Sequence, residues 1–346
     1  MEDAAESVRR AHLLMSVTVT RGEICGYPSI VLENRYLRAS IIPQLGARVW
    51  ELEDRLRGRQ WIWHRDSTRL QVCPVGAAYD DAWAGGWEEL FPNDAPGVFE
   101  GRELPDHGEW WATSWDADSS CDGYNARVCL SASLQRIKAS CRKEFRLDSD
   151  SNTLAVRYFI RSKEARPFHF LFKQHLPIAI DPGCRLALPG GEVEAVDRSF
   201  GSLGSASGPC TWPLAHLRSQ SLDLRVVPDP ASGQKEFLYV KNLPAHWCGV
   251  DDLGRDASLR MSFDPGELPF VWLFLAYGGW RPPVYAAVLE PCSNLPKDLS
   301  EAVRLGQSAR LEPDEEFSTE ISVTLQALSG RLRSPCDPLA TKGDHA

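Results

Sequence analysis

An all-β fold, made of antiparallel sheets packed face to face, is what this 346-residue sequence predicts. Three observations carry the prediction. Apolar residues recur at every second position along much of the chain. Clusters rich in Gly, Pro, Asn, Asp and Ser cut those runs into short pieces. Helical periods are scarce.

The elements follow in order. Residues 4–14 can form a short N-terminal helix. Residues 37–42, 48–53, 127–134, 222–227, 237–240, 259–263 and 270–276 read as strands. In 153–161, Leu154, Val156, Tyr158 and Ile160 fall on one face. Residues 168–180 read as one long apolar strand interrupted by His169, Lys173, Gln174 and His175. Residues 285–289 are an apolar run that ends at Glu290. Residues 300–305 follow Asp298 and stop at Gly306, enough for a turn or two of helix. Residues 317–325 alternate strictly, with Phe317, Thr319, Ile321, Val323 and Leu325 on one face. The expected organisation is an N-terminal arm or short helix over 1–15, one β-sandwich domain over 16–328 and a flexible tail over 329–346.

Composition narrows the function classes. With 43% hydrophobic and 25% charged residues there is ample material for a core. A net charge of −9 and the lack of a Lys/Arg stripe argue against a nucleic-acid partner. The ten cysteines include no CxxC pair, so neither a zinc ribbon nor a compact disulfide framework is expected. The histidines lack metal-ligand spacing. The N-terminus is charged without an apolar signal core, and no stretch is apolar for long enough to span a bilayer. The expectation is a cytoplasmic protein with reduced, mostly buried thiols, no membrane partner, no metal and no cofactor. A homodimer stays open.

Two polar islands are the candidates for chemistry. Residues 85–109 hold Trp87, Glu88, Glu89, Asn93, Asp94, His107 and Glu109 among Gly and Pro, a poor helix or strand but a good ligand-gripping loop. Residues 288–296 hold Glu290 at the exit of an apolar strand, where partial desolvation raises a carboxyl pKa and suits a general base. A surface glutamate is the plainer alternative. If side chains alternate, Lys173 and His175 share a face with His169, a pattern that fits a sheet face holding a polar ligand; a structural histidine is the alternative for each. His107 lies between Asp106 and Gly108 and can be oriented by a carboxylate. Arg48 follows the turn at Gly46 and can fork onto an oxygen ligand or make an ion pair. Trp87, Trp110 and Trp280 adjoin the islands and can stack on a sugar ring. Asp251 and Asp252 are adjacent and read as a turn. Nucleophile-elbow, P-loop, dinucleotide and zincin motifs are absent.

Together these residues resemble the galactose mutarotase-like (aldose 1-epimerase) superfamily. The resemblance is carried by Gly46-Ala47-Arg48, by Trp87 with Leu90-Phe91-Pro92-Asn93, by Asp106-His107-Gly108-Glu109, by His175, and by Leu289-Glu290-Pro291 with Asn294 and Pro296. It implies an antiparallel β-supersandwich with a sugar cleft and a small-molecule carbohydrate as partner. Carried over, Glu290 is the catalytic base, His175 the general acid and His107 the second active-site histidine. Arg48 matches a substrate-contacting arginine of some branches; Trp87, Asn93, Glu109, Lys173 and Trp280 are the further candidates for sugar contact that the residues themselves suggest. Two positions depart from the pattern: Gln174 precedes His175 where Asn is usual, and no residue matches the Asp that holds sugar hydroxyls. The implied reaction is anomer interconversion by ring opening at C1 and O5. A non-catalytic sugar-binding or sensor protein, and a sugar-acid isomerase or lyase, are the alternatives.

Overall fold

A computed structural model describes residues 16–66, 69–206, 210–217, 221–281 and 284–329. The helix expected over 4–14 lies outside the described residues, as does the tail beyond Ser329.

Two large antiparallel sheets form the body of the fold, as the alternating pattern predicts. One has eight strands and runs from Cys184–Ala187 at one edge to Asp116–Cys121 at the other. The second has nine and ends on Tyr285–Cys292, Lys173–Ala179 and Glu88–Leu90. A five-stranded sheet is built from the first five strands, Thr18–Ile24 through Arg59–Gln60.

The alternation expected from 153–161 and 317–325 is met by neighbouring central strands. Thr153–Ser162 pairs with Glu316–Ala327, and Leu154, Val156, Tyr158 and Ile160 share the core with Phe317, Ile321, Val323 and Leu325. One apolar cluster takes in residues from Val17 to Leu325 and fills the space between the sheets. Burying this much apolar surface is the main drive to fold. Among the described residues no helix is long and apolar enough to cross a membrane.

Four local expectations are corrected. The long strand expected over 168–180 is two: Phe168–Phe170 pairs with Ala309–Leu311 in a separate small sheet, and Lys173–Ala179 joins the nine-stranded sheet. The chain is turned between them, where Leu171 N–H bonds Pro92 O (2.7 Å) and Phe172 N–H bonds Ser293 Oγ (2.9 Å). The strand expected over 222–227 shortens to Ser221–Asp223, because Asp223 binds the backbone and guanidinium of Arg225 and turns the chain. Glu88–Leu90, expected as loop, is the edge strand of the nine-stranded sheet. Asp251 and Asp252 end the strand Trp247–Asp252 rather than forming a turn.

Candidate active site

Period-two alternation on the edge strands sorts the polar residues onto two faces. Lys173 pairs with Leu90, Gln174 with Glu89 and His175 with Glu88. On the other side of this strand Lys173 pairs with Cys292 and Leu176 with Leu289, a register that brings His175 level with Glu290. Glu88, Lys173, His175 and Glu290 therefore share the face turned away from the eight-stranded sheet. Glu89 and Gln174 point into the sandwich.

On the outer face the side chains form a continuous chain of contacts. His175 Nε2 lies 3.4 Å from Glu290 Oε1. Glu290 Oε2 is 3.2 Å from Lys173 Nζ, which also binds Asp94. On the other side of His175, Nδ1 is 3.2 Å from the Tyr79 hydroxyl, and that hydroxyl contacts Glu88 Oε1. Glu88 Oε2 meets the Arg48 guanidinium, which donates to Gly85 O at 2.8 Å. Gly86 makes room for Arg48: at φ +88° a Cβ there would fall 2.4 Å from Arg48 Cδ.

Burial sets the protonation states. Desolvation pushes the Glu290 carboxyl up to about 7, against the pull of Lys173. Desolvation and the Lys173 charge hold His175 well below the usual histidine range, so the ring is neutral at neutral pH. Burial opposes the Lys173 charge, but Asp94 and Glu290 outweigh it and hold the ammonium protonated. Burial and the charge of Glu88 keep the Tyr79 phenol protonated. Burial also raises Glu88, with Arg48 pulling the other way.

An aromatic cover closes this face. Tyr79 opens a one-turn helix, Tyr79–Ala82, and Trp83 follows its end. The Tyr79 ring stacks on His107 at 3.8 Å, and the Trp83 ring stands edge-on to His175 at 5.3 Å. His107 sits at the rim with a left-handed φ of 59°, its Nδ1 2.8 Å from Asp106. Asp106 also takes the Tyr79 backbone N–H (3.2 Å). Burial lifts Asp106, but the hydrogen bond and charge of His107 outweigh that and keep it below its ordinary value. Glu290 and His175 are only 2% and 5% exposed beneath this cover.

The structure gathers Glu290, His175, His107, Lys173 and Arg48, and separates the other expected residues. Trp87 is fully buried in the main core with its indole N–H on Gln174 Oε1 (2.8 Å), and Trp110 lies in the same core. Neither offers a face to a ligand. Glu109 accepts the backbone N–H groups of Gln135, Arg136 and Ile137, which makes it a loop anchor. Asn93 donates to Ala95 O and Pro105 O and braces its own loop. Trp280 is half-buried at the rim, 4.9 Å from Phe274 and 6.2 Å from Trp83. His169 belongs to the other small sheet and binds Ser308 (2.7 Å), so it shares no face with His175. Tyr79 and Trp83 were missed; the one signal for them is an aromatic pair spaced i, i+4, the spacing of a single helical turn.

One further trio, Asp181, Cys184 and Asp252, is close enough to hold a cation. Arg59 and Arg255 already pair with Asp252, and burial lifts the Cys184 thiol to about 11, so this donor set does not fit a metal.

No family model matches the sequence, and no curated protein matches it. Solved structures do match. A candidate aldose 1-epimerase from Klebsiella pneumoniae aligns with a TM-score of 0.70 at 13% identity, over 88% of this chain and 81% of that one. The fold is that of the galactose mutarotase-like proteins. A candidate aldose 1-epimerase from Escherichia coli K12 aligns at 0.62 and 16% identity, over 90% of this chain and 100% of its own. A galactose mutarotase-like protein from Clostridium acetobutylicum aligns at 0.62 and 13% identity, over 90% and 99%. At these identities the likeness concerns the fold, and function has to be argued from the site.

Proposed function

We propose that this protein is a sugar mutarotase or epimerase of the aldose 1-epimerase type. Glu290 takes the proton from O1 and His175 delivers one to the ring oxygen; the ring opens, C1–C2 rotates, and closure yields the other anomer. His107 assists at the rim. The observation that carries this reading is the 3.4 Å approach of His175 Nε2 to Glu290 Oε1 on one sheet face. A carboxyl near 7 is matched to proton transfer at neutral pH. Candidate aldose 1-epimerases among the structural relatives point the same way.

A neutral sugar suits this site better than a sugar acid. Arg48 and Lys173, the cations an anionic group would need, are both engaged by carboxylates. The closed aromatic cover favours, as a second reading, a binding protein that grips sugar without turning it over. Exchange NMR on a panel of aldoses separates the two. The enzyme reading requires at least one sugar whose anomers exchange faster with protein and lose that acceleration with Glu290→Gln. Saturable binding with unchanged exchange in both proteins supports the second reading and ends the first.

A further inference from the structure

The Tyr79 hydroxyl has one proton and two polar neighbours, Glu88 Oε1 and His175 Nδ1. The Arg48 guanidinium holds the other oxygen of Glu88, so Glu88 is a carboxylate that only accepts. The hydroxyl therefore donates to Glu88, and its oxygen takes a hydrogen from His175 Nδ1. That leaves the lone pair on Nε2, which lies 3.4 Å from Glu290 Oε1. We infer that Tyr79 and Glu88 are positioning residues that hold the neutral His175 ring as its Nδ1–H tautomer, so that Nε2 alone exchanges protons with Glu290 and with a bound sugar.

The local charges agree. Two cations, Arg48 and Lys173, face three carboxylates, Glu88, Asp94 and Glu290. The pairs Arg48–Glu88 and Lys173–Asp94 cancel. Glu290 is left over, and one extra proton shared between it and Nε2 makes the group neutral. The tie is also rigid: Tyr79 is 2% exposed and stacked on His107 at 3.8 Å.

The inference rests on the proposed function for its consequence, though not for its test. Before ring opening the extra proton passes from Glu290 to Nε2; Glu290 then gains the O1 proton while Nε2 gives its proton to O5. Ring closure reverses both transfers, so protons balance and the Nδ1 proton never leaves. While Nε2 carries a proton, the Nδ1–H bond toward Tyr79 and Glu88 stabilises the imidazolium, as a third group does in a catalytic triad.

The experiment is 15N NMR of the histidine-labelled protein at neutral pH, with no ligand. The His175 signals are assigned by their disappearance in His175→Gln. The expected spectrum shows a protonated Nδ1 and a bare Nε2. A protonated Nε2 with a bare Nδ1 overturns the inference. Tyr79→Phe keeps the ring stack and removes the hydroxyl. It is expected to give a mixture of tautomers and to lower kcat about ten- to a hundredfold with little change in KM, the loss of one hydrogen bond to a charged group. A folded Tyr79→Phe protein with an unchanged tautomer and kcat contradicts the account; if that variant does not fold, the spectrum of the native chain decides alone. Failure of Glu290→Gln to slow anomer exchange would remove the proposed reaction and leave the tautomer assignment standing.

Discussion

Two buried polar clusters lie back to back on opposite faces of one end of the nine-stranded sheet, and their wiring differs. The inner one balances its charges. Glu89 and Lys143 are fully buried and 2.8 Å apart; Tyr158 adds a bond to Glu89 (2.6 Å), Lys143 adds one to Ala47 O (3.0 Å), and Tyr158 and Trp87 both reach Gln174 Oε1. It ties the nine-stranded sheet to the eight-stranded one with one cation and one carboxylate. Burial pushes Glu89 up and Lys143 down, and their mutual attraction opposes both. The outer cluster has a carboxylate in excess, a neutral histidine and a cover rather than a second sheet above it. Both clusters are buried. Charge balance separates a structural tie from a site able to move a proton.

That contrast can be broken in order of expected effect. Glu290→Gln should lower anomer exchange about 10²–10⁴-fold, the usual worth of a placed acid or base, while the fold survives. On the inner side Lys143→Met leaves Glu89 buried and alone. It should cost about 3–5 kcal/mol of stability in urea unfolding, and the double variant with Glu89→Leu should recover most of that.

The pH dependence should split the same way. Activity should fall as pH climbs through the Glu290 value of about 7, because the extra proton that Nε2 delivers to the ring oxygen is lost there. Stability runs the same way: a carboxyl raised on folding contributes fully below its unfolded value of 4.5 and loses that contribution as pH climbs through about 7. The urea midpoint of Glu290→Gln relative to the native chain should therefore rise over that window; a flat difference would mean that Glu290 is not raised. Neutral His175 acts in the reverse sense, since its stabilisation is lost as pH falls below 6.5. The smallest effect is expected from Trp87→Phe, which removes one indole hydrogen bond in the core. It should lose about 1 kcal/mol of stability with no change in KM for any sugar; a raised KM would return Trp87 to the ligand site.

The sandwich was legible because strict alternation such as that of Glu316–Ala327 states which side chains are buried without reference to the rest of the chain. The Glu290–His175 pair was legible too, since both polar groups interrupt strongly apolar strands. Other parts depend on tertiary contacts that no local pattern carries. Glu88–Leu90 looks like loop and becomes a strand only because Lys173–Ala179 offers it an edge. Glu88 and Glu89 are neighbours with opposite fates, which only the register decides. The break between Phe170 and Lys173 is made by partners at Pro92 and Ser293, so the expected companionship of His169 and His175 failed. Tyr79 has no neighbouring period at all, and its place over His175 comes from contacts with Asp106 and His107.

The most direct test is a crossed measurement on two variants, Glu290→Gln and Lys143→Met, recording anomer exchange and urea stability for each. The account predicts that Glu290→Gln slows anomer exchange about 10²–10⁴-fold and leaves a stable fold, whereas Lys143→Met weakens the fold and, where still folded, turns over sugar at the native rate. If Glu290→Gln exchanges anomers as fast as the native protein, or if Lys143→Met leaves stability untouched, the division between a working outer face and a structural inner face is wrong.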